Sequence, residues 1–131
     1  MKIAVIICRV LLGLAFVVFG ANIIHPFMPM PPQPEGSLMA QFSAVMGPSG
    51  WMTLVGFFQL AGGLLVLSGR ATPLGLSLLA PVLVNVLAFH IFLEQGNGLA
   101  SGLVFSALEI FLIYAYRENF RGIFTVNATL S

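Results

Sequence analysis

Four apolar runs, at about residues 3–24, 50–69, 73–94 and 98–117, each approach the roughly 20 residues that a helix needs to cross a bilayer. Breaks rich in Gly, Pro and Asn separate them. Inside hydrocarbon a backbone must satisfy its own hydrogen bonds, and nothing here alternates like a barrel strand, so the runs are expected to be helices. The reading is an all-α chain: one membrane domain over residues 1–131, a four-transmembrane-helix bundle with a short outer interfacial helix in the loop 25–49.

Composition closes off the alternatives. With 59% apolar and 7% charged residues there is too little polar side chain to coat a soluble globule. A net charge of +1 offers no field for nucleic acid, and the single Cys8 cannot form a disulfide within the chain. Lys2 followed by an apolar run ending near Gly20 and Ala21 has the outline of a signal peptide, but Arg9 interrupts that run, so a retained first span is expected.

The basic residues orient the spans. Lys2 and Arg9 lie at the start, Arg70 in the second connection, and Arg117 and Arg121 after the fourth run, all on one side of a four-span topology. Both termini are therefore expected on the cytoplasmic side of a cell membrane. Trp51 then falls at the outer interface, and Tyr114 and Tyr116 at the inner one. The loop from His25 to Ser49 opens with proline-rich, apolar sequence; after it Ser37 can cap a short helix carrying Leu38, Met39, Phe42, Val45 and Met46 at helical spacing, expected to lie flat on the outer surface.

Polar residues within the spans are the candidates for function, because they are expensive there, although many serve only to hold helices together. Arg9 shares a face with Gly13, Phe16 and Gly20; Gln59 with Gly56 and Gly63; Ser77 and Pro81 with Asn85; Glu109 with Gly102 and Ser106. Each of these faces is expected to point inward. At about 1.5 Å per residue, Arg9 lies roughly 10 Å from Lys2 and Glu109 roughly 12 Å from Arg117, which predicts an Arg9–Glu109 ion pair with Gln59 near enough to join. Arg9 has donors to spare, which a quinone-like lipid held between the seams, among Phe16, Val66 and Phe105, could accept. His90, one turn before Glu94, completes the candidate ligand-binding set of Arg9, Gln59, Asn85, His90 and Glu109.

Catalytic and metal signatures are not found: the chain has no Asp, no phosphate loop and no nucleophile beside a base. His25, Met28 and Met30 could offer soft ligands to Cu(I), yet apolar interfacial methionines more often serve as filler.

Three stretches resemble the DoxX and DoxX-like family of small four-helix membrane proteins: Arg9 to Phe16 with Gly20, Phe58 to Leu65 with Gly69, and Leu79-Ala80-Pro81 through Asn85 to His90. Many members carry a Glu where this chain has Gln59. The resemblance implies a link to quinone-reducing sulfur oxidation, hence a redox-associated subunit that binds a quinone and works with other membrane or redox subunits. The alternative is a non-enzymatic transporter of protons or a small solute, or a membrane scaffold; association with copies of itself fits either.

Overall fold

The computed structural model describes all residues from Met1 to Ser131, and every regular element in it is helical. Helix α1 spans Lys2–Ile24 and stops at His25, whose extended backbone suits a residue preceding proline. Asn22 secures that exit, its Oδ1 accepting from the backbone N–H of Phe27 at 3.0 Å and of Met28 at 2.9 Å. Helix α2, Leu38–Met46, begins as expected at Ser37, whose Oγ accepts from the N–H of Ala40.

Helix α3, Trp51–Ser68, is bracketed by Gly50 and Gly69, both left-handed with φ of 81° and 74°. Helix α4, Thr72–Phe92, carries Pro73 in its first turn and Pro81 inside; helix α5 spans Leu99–Ala115. Beyond it α6, Arg117–Phe120, and a 3-10 turn over Arg121–Phe124 swing away by 82°. The ends of the four helices α1, α3, α4 and α5 lie within about two residues of the ends of the apolar runs.

Three helices, α1, α3 and α4, are long and apolar enough to cross a membrane, and up to four when α5 and the bent segment after it count as one span. The chain is a helical bundle in which α1 packs on α3, α3 on α4, α4 on α5, and α5 back on α1. Glycine sets the tightest contact. A Cβ on Gly13 would stand 2.6 Å from the backbone N of Leu67, one on Gly63 2.7 Å from that of Val17, and one on Gly20 2.6 Å from that of Leu60. Backbone therefore meets backbone along the whole α1–α3 seam, as in membrane helix pairs where small residues permit close approach.

The interior is a layer of Leu12, Phe16, Val66, Leu76, Leu79, Leu83, Leu112 and Phe120. Only 19 of 131 residues are buried, while large side chains such as Ile3, Leu14, Phe57, Val84 and Ile110 face outward. In water so much exposed apolar surface would drive association; in lipid it is the contact surface.

Candidate functional site

The five expected ligand-binding residues do not form one site. Arg9 and Glu109 are not an ion pair: the side-chain pairs present are His90–Glu94 and Arg121–Glu118. Glu109 is buried at 3% exposure with neither carboxylate oxygen partnered, and the Nε of Arg9 is likewise enclosed without a partner. The guanidinium of Arg9 is instead pressed against Gly69 at the end of α3, where an added Cβ would stand 2.8 Å from Cζ. Counting residues from the span ends placed Arg9 and Glu109 at matching heights, but such counting takes no account of helix tilt or of which way each side chain rotates.

Gln59 does not join Arg9 either. The α1–α3 register sets Gln59 beside Gly20, ten residues along α3 from Gly69 and roughly 15 Å away at the helical rise. The apolar residues between the seams pack on one another. Phe16 and Val66 are packed in the core, and the rings of Phe16, Phe19 and Phe105 meet edge to face with centroids 5.7–6.2 Å apart.

The remaining three candidates do converge, on the flank of the bundle. A cleft of about 840 Å³ runs between α3 and α4, its 19 lining residues including 14 hydrophobic ones as well as Gln59, Asn85 and His90. Ser77, Pro81 and Asn85 share a stripe as expected, but the stripe is exposed along this cleft and does not point into the core. Gly75, Leu76, Leu79 and Leu83 have taken the inner face of α4 instead. Phe42 and Met46 of α2 and Ile23 of α1 also line the cleft, and the Phe42 ring meets that of Phe89 at 5.3 Å. Sequence reasoning missed these walls. The helical spacing of Phe42 and Met46 is the available signal, but nothing in it says that α2 packs over the α3–α4 cleft.

Hydrogen bonding separates the polar groups in the cleft. Ser77 Oγ donates to the carbonyl of Pro73, and Asn85 Nδ2 to that of Pro81, each at 2.8 Å and within α4. His90 Nδ1 is joined to Glu94, and its ring rests on Gly98, where a Cβ would come within 2.9 Å of Cε1. Gln59 differs: at 5% exposure, its Oε1 has no partner. A buried amide oxygen left bare is costly, by roughly 1–3 kcal/mol, unless a ligand supplies the donor.

No group of three or more His, Cys, Asp and Glu side chains that could hold a metal is present. His25 is exposed where α1 ends.

An all-helical chain with three to four membrane-competent helices and a mainly apolar cleft on its flank defines a small polytopic membrane protein. The family model for DoxX matches residues 4–91, two thirds of the chain, and the chain belongs to the DoxX family. No curated protein and no solved structure matches it.

Proposed function

We propose that the α3–α4 cleft binds a quinone-like lipid and that the protein is a redox-associated membrane subunit, its electrons exchanged through a partner subunit. The observation that carries the reading is that Gln59, whose buried Oε1 has no partner, lines an apolar cleft of ligand-sized volume. A primary amide suits both forms of such a ligand: its NH₂ donates to a quinone carbonyl, and its oxygen accepts from a quinol hydroxyl. The flat ring would lie among Phe58, Val82 and Phe89, with the tail leaving sideways into lipid past the exposed Pro81 and Phe92. His90 lines the same cleft near its Glu94 end.

The proposal includes a fourth span through α5, short at 17 residues, and both termini in the cytoplasm of a cell, or inner, membrane. Antiparallel packing of α1 on α3, and a crevice shared by Lys2, Arg9, Ala115 and Tyr116, gather the basic residues at one end of the bundle. In this orientation α2 lies at the outer surface and closes the cleft there.

The test is organic extraction of gently purified protein with mass analysis for a stoichiometric lipid-soluble carbonyl compound, followed by quinone titration. Saturable binding that is lost in Gln59→Leu is the expected result. Binding that does not saturate would remove the proposal. One observation favours a second reading, passage of protons or a small solute: Glu109 and Ser106 lie one turn apart on α5, and the buried Oε1, Oε2 and Oγ atoms lack partners. Flux through liposomes, abolished in Glu109→Gln, would select that reading instead.

A further inference from the structure

A second concavity lies at the basic end of the bundle, far from the Gln59 cleft. It is a crevice of about 380 Å³ between the start of α1 and the end of α5, lined by Lys2, Val5, Ile6, Arg9, Ala115 and Tyr116 among others. Lys2 and Arg9 stand seven residues apart, two helical turns, and so share one face of α1 about 10 Å from each other. Neither is in an ion pair: of the four acidic residues, Glu94 and Glu118 are engaged by His90 and Arg121, and Glu35 and Glu109 are in no ion pair. No carboxylate lines the crevice. The enclosed, unpartnered Nε of Arg9 and the backing of its guanidinium by Gly69 limit how far that cation can turn away to find a counter-ion.

The geometry points to a binding site for the headgroup phosphate of an acidic phospholipid. Two cations and the Tyr116 hydroxyl supply donors for the phosphate oxygens, and Val5, Ile6 and Ala115 offer an apolar wall to the glycerol backbone and first acyl carbons. A zwitterionic lipid brings its own ammonium group against these cations, and a free phosphate leaves the wall uncovered. This site is independent of the quinone reading and shares no lining residue with the Gln59 cleft.

The test uses the full chain in nanodiscs of mixed phosphatidylglycerol and phosphatidylcholine, with the lipid retained on the protein read by native mass spectrometry. Two basic residues near a membrane surface predict roughly a 30-fold preference for phosphatidylglycerol. Arg9→Gln and Lys2→Gln should each lower that preference by about 5-fold. Ala115→Leu, which fills the crevice and leaves both cations in place, should abolish retention. Lys2 is exposed, so Lys2→Gln carries the test if Arg9→Gln does not fold. Equal retention of the two lipids by the wild type, or an unchanged preference in Lys2→Gln together with Ala115→Leu, overturns the site. Displacement of the lipid by inorganic phosphate also overturns it and assigns the crevice to a free anion.

Discussion

Gly63→Ala tests the seam on which the whole bundle is assembled. The new Cβ would stand 2.7 Å from the backbone N of Val17, 2.9 Å from the backbone O of Gly13 and 3.0 Å from the backbone C of Phe16, where ordinary contact begins at 3.4 Å. All three atoms belong to the α1 main chain, so no side chain can rotate to make room. The helices must separate by about 0.7 Å, and the packing around Gly13, Gly20 and Gly56 loosens with them. Overpacking of this kind costs about 1–3 kcal/mol, or roughly a 5- to 150-fold shift in the folding equilibrium. Reversible unfolding in mixed micelles of rising SDS fraction, followed by far-UV circular dichroism, measures it. Gly122→Ala is the control, because a Cβ there meets no atom within 4 Å. Adding Gly13→Ala should cost less than the sum of the two single changes, since the first separation already admits the second methyl. If Gly63→Ala unfolds within about 0.5 kcal/mol of wild type, close backbone contact is not what holds α1 to α3.

Further expectations follow from the site. In a double-mutant cycle measured by the same unfolding assay, Arg9→Gln and Glu109→Gln should be additive within about 0.5 kcal/mol, because the two side chains form no pair; a larger coupling would restore the ion pair. Quinone titration of Asn85→Leu should show a weaker loss than Gln59→Leu, since Asn85 already donates to Pro81 and Gln59 Oε1 has no donor; equal losses would contradict that ranking. Gly98→Ala should destabilise by about 1–3 kcal/mol, its φ of 74° and the His90 ring both opposing a side chain; unchanged stability would show that the ring moves freely. Single cysteines at residues 26–49 should react with an impermeant thiol reagent added from outside, and cysteines beside Arg70 should not.

Much of this protein is written locally. The helices α1, α3, α4 and α5 and their ends follow from hydropathy and from the conformational limits of Pro26, Gly50, Gly69 and Gly98, and the cap at Ser37 follows from the side chain itself. Gly13, Gly20, Gly56 and Gly63 marked the faces along which α1 and α3 meet, because only a missing Cβ lets two backbones approach in lipid. None of this needed knowledge of the partner helix.

The site was legible only as a set of residue types. Helix α4 is apolar almost all the way round, so no period distinguishes its inner face, and the polar stripe of Ser77 and Asn85 pointed to the wrong rotation where Gly75 marks the right one. Ser77 and Asn85 misled because each satisfies its donor on its own helix and so can face outward at little cost. Heights were equally uncertain, since residue counts from loop ends contain neither tilt nor register. The contacts of Gly13 with Leu67 and Gly20 with Leu60 decided that Arg9 rests beside Gly69 while Gln59 lies roughly 15 Å away in another cleft. Hydropathy and backbone sterics act within one segment and can be read from sequence; rotation and register are settled between segments by which side chains fill the shared space, and tertiary packing alone decided them.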